Sequence, residues 1–371
     1  MKYLTEYRQP ELVDRYAREI RATARRRWTL MEVCGGQTHG LLRGGVLPML
    51  AGAVEMVHGP GCPVCVTPAV LIDEAIRLAE TEGVVLCSFG DMLRVPGSRR
   101  SLSDIRAAGA DVRVLYSPLD AVRLAAAAPE REFVFFAVGF ETTAPAHALA
   151  VLQAERLGLR NFSLLVSQVL VPPAMEAVLT GDSVGIDGFL AAGHVCAIMG
   201  TEPYRKLVDR HRVPVVVTGF EPVDLLQGIL MAVRQLEAGE HRLENQYRRV
   251  VRSEGNTEAR RILEKVFDIT DRAWRGIGTL PASGLRLRPT FAAFDAACRF
   301  RLAQGPAEDA SIERGCIAGD ILQGRKKPVD CPHFGITCSP RHPVGAPMVS
   351  DEGVCAAYYH ALPTMPADAT S

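Results

Sequence analysis

The chain has 371 residues, 48% of them hydrophobic, and its 42 Lys+Arg balance its 42 Asp+Glu to a formal charge of zero. That length suggests two or three domains with ample apolar material for their cores, and the even charge lacks the basic footprint of a nucleic-acid binder. The start, Met1-Lys-Tyr-Leu-Thr-Glu-Tyr-Arg8, is charged where a signal peptide is apolar, and no later run approaches the ~18 apolar residues that cross a bilayer, so a cytoplasmic chain with no membrane partner is expected.

Residues 10–27 read as a helix opening at Pro10, with Leu12, Tyr16 and Ile20 on one face and Arg15, Arg18, Arg21 and Arg25 on a solvated basic one. Next, Met31-Glu-Val-Cys-Gly-Gly-Gln-Thr-His39 delivers Cys34 into a Gly-Gly turn, which is expected to leave the thiol accessible. Cys34 there is either a nucleophile or a soft ligand to iron, copper or zinc, with Gln37, Thr38 and His39 within reach of whatever it holds. A strand at Val54-Glu-Met-Val-His58 then leads into Gly59-Pro-Gly-Cys62-Pro-Val-Cys65, at the approach to a helix reaching about Glu82. Ten cysteines in a reducing compartment favour metal ligation or redox chemistry over structural disulfides. For Cys62 and Cys65 a reversible dithiol is favoured over half of a metal site, since no second C-x-x-C completes one.

Strands at 84–89, 112–116 and 133–138, with helices between, have βαβ character and imply a parallel sheet, with Cys87 as a core residue. A second series follows, with strands at 162–166, 188–192 and 215–217 separated by helices near 174–179 and 202–210. Val138-Gly-Phe-Glu141 and Thr218-Gly-Phe-Glu221 echo each other, each closing a strand and opening a helix, which suggests two similar lobes. Ligands of open parallel sheets bind beyond the carboxyl ends of the strands, where Cys62, Cys65, Asp91, Glu141, His194 and Glu221 fall. Neither G-x-G-x-x-G after a strand nor a phosphate-binding G-x-x-x-x-G-K-[ST] occurs, so nucleotide binding is unsupported.

From about Asn256 the composition changes. A helix runs to Phe267, the stretch 274–289 is rich in Gly, Pro and Leu, and a helix-like 291–303 carries Cys298, read as core. Beyond it Cys316, Cys331, Cys338 and Cys355 are spaced C-x14-C-x6-C-x16-C among prolines, a small domain stabilised by something other than an apolar core. Four such thiolates fit either a tetrahedral zinc site or a four-cysteine iron–sulfur cluster. Structural zinc usually takes short C-x2-4-C pairs and none occurs here, which favours the cluster.

Five motifs in one order, namely Met31 to His39, His58-Gly-Pro-Gly-Cys-Pro-Val-Cys-Val66, Gly139-Phe-Glu-Thr-Thr-Ala-Pro145, Gly193-His-Val-Cys196 and the four-cysteine tail, resemble the HypD family of hydrogenase maturation factors over nearly the whole chain from about residue 30. The resemblance implies a scaffold, more an assembly chaperone with redox activity than a turnover enzyme. On it the Fe(CN)2CO unit of [NiFe]-hydrogenase is built, with a small HypC-like chaperone and a HypE-like cyanide donor as partners. It implies Cys34 as the ligand of the CN- and CO-bearing iron, Cys62 and Cys65 as the redox dithiol, and Cys316, Cys331, Cys338 and Cys355 as ligands of a [4Fe-4S] cluster. Gln37, His39, Glu141, His194 and Glu221 stand as supporting residues. The expected architecture is α/β, with two open parallel-sheet, Rossmann-like lobes and a small iron–sulfur domain. Its parts are an N-terminal helical segment (1–30), a first lobe with Cys34 and the dithiol (31–145), a second lobe (146–255) and the cluster domain (256–371). The competing readings are a free-standing iron–sulfur thiol/disulfide oxidoreductase and a zinc-stabilised binding module.

Overall fold

The computed structural model describes residues 5–181, 185–302 and 315–362. Residues 1–4 and 363–371 of the outer segments, and Ala303 at the end of the 291–303 helix, lie outside that set.

Two open, all-parallel sheets carry the fold, as the alternation of apolar strands and helices predicted. In one, β1 (Trp28–Glu32), β2 (Val54–His58), β7 (Gly188–Ala192), β8 (Val215–Thr218) and β9 (Leu243–Asn245) lie in the order β2-β1-β7-β8-β9. In the other, β3 (Val84–Ser88), β4 (Val112–Val114), β5 (Glu132–Gly139) and β6 (Phe162–Gln168) lie in the order β4-β3-β5-β6. Helices cover both faces of each sheet, so the central strands are apolar on both sides rather than alternating. Along β5, for example, Phe133, Phe135 and Ala137 enter one core while Val134, Phe136 and Val138 enter another.

The sheets do not divide at residue 145. β1 pairs with β2 on one side and on the other with β7, through Leu30–Gly188, Met31–Phe189 and Glu32–Leu190, and β3 to β6 form a separate sheet inserted in the chain between β2 and β7. Parallel strands need only a crossover connection, and here a whole second sheet serves as that connection, a length that local pattern does not reveal. The echoed Gly-Phe-Glu segments accordingly close strands of different sheets, β5 and β8.

The N-terminal helix spans Pro10–Thr23 and buries Val13, Ala17 and Ile20. Past the helix Thr257–Val266, capped by Asn256, the Gly- and Pro-rich stretch forms an antiparallel hairpin of β10 (Phe267–Trp274) and β11 (Gly278–Leu287), which the sequence reading left unassigned. Its register shifts between Thr270 and Arg272, opposite the stretch that holds Pro281 and Ala282 at φ 48°, so strand-breaking residues sit at a bulge inside a continuous ladder. The expected 291–303 helix is instead a 3-10 turn, Pro289–Phe294, followed by a short helix, Ala296–Arg299. Cys298 is exposed there, not core: the short helix turns only Ala296 inward. Cys87 is fully buried, as expected.

Candidate functional site

The carboxyl edge of the first sheet collects the chemistry. Because its order is β2-β1-β7-β8, the residues following these strands line up in space as Cys62 and Cys65, then Cys34, then His194, then Phe220 and Glu221. The order in which strands are added reverses between β1 and β7, with β2 to one side and β7, β8 and β9 to the other, which is the switch point at which open α/β sheets form a crevice. Cys34 and His194 meet there, with the Cys34 Sγ 3.8 Å from His194 Nδ1.

Cys34 does not lie in an exposed turn. It is the N-cap of the helix Gly35–Arg43 and is only 7% exposed. The glycines do not open the site but let neighbours close on it. A Cβ on Gly35 would meet the backbone oxygen of Glu352 at 2.2 Å, one on Gly36 would press on the Phe220 ring at 3.2 Å, and one on Gly61 would lie 2.3 Å from the Cys34 nitrogen. The chain just before the dithiol thus rests directly on the Cys34 backbone, and the Gly35 amide donates to the Gly61 carbonyl at 3.2 Å.

Cys62 caps the one-turn helix Pro63–Val66, and the Cys65 amide donates to its Sγ at 3.2 Å. The two sulfurs are joined in a disulfide across a Cα separation of 5.2 Å, and both residues are buried.

Burial and the Glu32 carboxylate push the Cys34 thiol up to about 12, against the opposing pull of the Gly36 and Gln37 amides. Burial pushes His194 down to about 4, leaving its ring uncharged beside the sulfur and packed on Phe220 at 5.2 Å. A thiol so hard to ionise is a weak nucleophile, whereas a coordinated metal cation deprotonates a thiol outright. Of the two roles open to Cys34, the surroundings suit the soft ligand.

The remaining predicted residues divide. Gln37 is fully buried and points into the sheet, donating through Nε2 to the Thr218 hydroxyl at 2.7 Å and the Ala191 carbonyl at 3.3 Å. His39 reaches the Asp351 carbonyl. Glu141, at the end of β5, accepts from the Val171 amide at 2.9 Å, and burial raises it to about 7. The Glu221 carboxylate is turned outward, paired with Arg8.

Sequence reasoning missed Glu32, His58 and Tyr358. Glu32 is 1% exposed; its Oε2 accepts from the Cys34 amide at 2.8 Å and its Oε1 from the Thr38 hydroxyl at 2.5 Å. His58 bridges that carboxylate, through Nδ1 at 2.6 Å, and the Tyr358 hydroxyl, through Nε2 at 2.8 Å. One signal was available: a Glu and a His each closing a mostly apolar strand, Glu32 on β1 and His58 on β2, are costly to bury unless they partner each other.

Cys316, Cys331, Cys338 and Cys355 line one cavity, with Phe334, Met348, Ile317 and Ile321 among its walls. Burial and then the charges of the other three cysteines drive Cys355 well above the ordinary thiol range, which a cationic centre among them would relieve. A Cβ on Gly345 would fall 2.3 Å from the Cys316 sulfur, and the Val344 amide donates to the Cys338 sulfur at 3.4 Å. Among the described residues no three His, Cys, Asp or Glu side chains converge closely enough to hold a single ion. Four thiols lining one cavity are still a donor set that an iron–sulfur cluster or a tetrahedral zinc could use. The helix Val354–Ala361, which carries Cys355 and Tyr358, belongs to the segment that closes over Gly35.

No helix among the described residues is long and apolar enough to cross a membrane. The sequence pattern of HypD, described as the "Hydrogenase formation hypA family", matches residues 11–361. The "Hydrogenase maturation factor HypD" of Azotobacter vinelandii is 46% identical over 368 residues, covering 97% of this chain and 96% of that protein. That of Rhizobium leguminosarum bv. viciae is 47% identical over 369 residues, covering 97% and 95%, and that of Escherichia coli (strain K12) is 43% identical over 367, covering 97% and 98%. With nearly the whole chain matched by the family and by each of these relatives, the chain belongs to the HypD family of hydrogenase maturation factors.

Proposed function

We propose that the chain is a cytoplasmic assembly scaffold on which the Fe(CN)2CO unit of [NiFe]-hydrogenase is built, with a HypC-like chaperone and a HypE-like cyanide donor as partners. The observation that carries this reading is the order along the sheet edge, where Cys34 lies between the Cys62–Cys65 disulfide and His194, under a four-cysteine segment.

In this reading Cys34 is the protein's ligand to the iron under construction. Its buried crevice excludes water, and the uncharged His194 ring borders the sulfur without competing for a proton. Cys62 and Cys65 store a redox equivalent: two electrons and two protons convert their disulfide into two thiols, next to the Cys34 backbone. Cys316, Cys331, Cys338 and Cys355 would hold a [4Fe-4S] cluster, which supplies electrons singly when bound.

The second reading, a free-standing iron–sulfur thiol/disulfide oxidoreductase, draws on the disulfide and the four-cysteine cavity and gives the buried Cys34 no task. Anaerobic purification with iron and sulfide analysis separates the two. As a scaffold, the protein with its small partner carries iron beyond the cluster's complement, and Cys34→Ser loses that excess while keeping its sulfide. Equal iron in wild type and Cys34→Ser would overturn the scaffold reading.

A further inference from the structure

Two features of the molecule that act far apart in sequence share one buried hydrogen-bonded chain. Glu32 fixes the Cys34 amide with one carboxylate oxygen and the first turn of the Cys34 helix, through Thr38, with the other. His58 extends from that second oxygen to Tyr358, three residues past Cys355 on the same helix. All three side chains are 6% exposed or less, and the His58 and Tyr358 rings also meet edge to face at 5.3 Å. A core packed for stability alone has little use for a buried carboxylate, imidazole and phenol in series. Such groups are costly unless every bond is made, so the position of one end constrains the other.

We propose that Glu32, His58 and Tyr358 are positioning residues that couple the helix bearing Cys355 to the backbone of Cys34. Movement of that helix, on filling or emptying of the four-cysteine cavity, is transmitted through Tyr358 and His58 to the carboxylate that holds the Cys34 amide. Their hydrogen bonds go to the Cys34 amide, the Thr38 hydroxyl and one another. They set where the Cys34 sulfur stands and how firmly. The inference rests on the reading of Cys34 as a dock and of the four cysteines as a cluster site, and the hydrogen bonds that carry it are all made by this chain's own residues.

Amide hydrogen exchange in the full-length chain tests it. Tyr358→Phe removes one hydroxyl and keeps the ring, and His58→Gln is the second variant. In the metal-free protein either substitution is expected to speed exchange across Cys34 to Thr38 about tenfold, the effect of losing one hydrogen bond to a buried charged network, while residues 69–79 on the far side of the dithiol exchange as in wild type. Reconstitution with iron and sulfide should then slow exchange at Cys34 to Thr38 in wild type and fail to do so in Tyr358→Phe, although both take up the same iron and sulfide. Unchanged exchange at Cys34 to Thr38 in both metal-free variants overturns the coupling, and so does equal protection of wild type and Tyr358→Phe on reconstitution. Failure of wild type to take up iron and sulfide would instead count against the cluster reading, with the metal-free comparison still deciding the coupling.

Discussion

Gln37 and Glu141 show what single residues near the site do. Gln37 follows Cys34 closely enough in sequence to suggest that it serves the same ligand, yet its amide is spent on Thr218 and Ala191 inside the sheet. Gln37→Ala is therefore expected to lower stability by about 1–3 kcal/mol, read from the urea midpoint, because it strips buried partners of a donor. Iron bound per folded molecule should not change. Glu141 is raised to about 7 by burial against an ordinary 4.5. Between those values the folded protein keeps a proton that the unfolded chain releases, so its stability falls as pH rises through the window. A displacement of that size corresponds to about 3 kcal/mol. Glu141→Gln should flatten the pH dependence of the denaturation midpoint from about pH 5 to about pH 8 and be the more stable form at the upper end. A steeper profile in the variant would show that another group titrates there. Both roles were hidden in the sequence, since proximity along the chain says nothing about which way a side chain turns.

At the scale of elements, the parallel strands were legible as unbroken apolar runs such as Val84-Val-Leu-Cys and Val215-Val-Val, and their polar followers were correctly placed beyond the carboxyl ends. Which strands lie side by side was not legible. The pairing of β1 with β7 depends on packing between segments far apart in sequence, and only that pairing brings His194 to Cys34. The hairpin was missed because Gly and Pro, which usually break strands, occupy a bulge. The Cys-Gly-Gly step reads in the sequence as a turn that leaves the thiol accessible, whereas its glycines are the contact surfaces for Glu352 and Phe220. Gly35→Ala tests that difference. Its new methyl would overlap the Glu352 backbone, an overpacking worth about 1–3 kcal/mol, and should release the C-terminal segment from the Cys34 helix. Limited proteolysis is expected to cut near residues 346–361 faster in the variant while both parallel sheets stay intact; an unchanged cleavage pattern would return the glycines to a turn-forming role.

Over the whole molecule, the second sheet is an insertion within the first, and the four-cysteine segment returns from the far end of the chain to close on the Cys34 helix. The dithiol, the buried thiol and the four-cysteine cavity thus become neighbours although residues 34, 65 and 316 are widely spaced. The motifs in the sequence named these parts, and the fold supplies their order and contacts. That order makes the central claim, that Cys34 holds an iron carrying CN and CO, open to direct observation. The infrared spectrum of the protein co-purified anaerobically with the HypC-like chaperone proposed as its partner should show CN and CO stretching bands in wild type and lose them in Cys34→Ser. Bands that persist unchanged in Cys34→Ser, or that are repeatedly absent from an iron-replete wild-type complex, would contradict it.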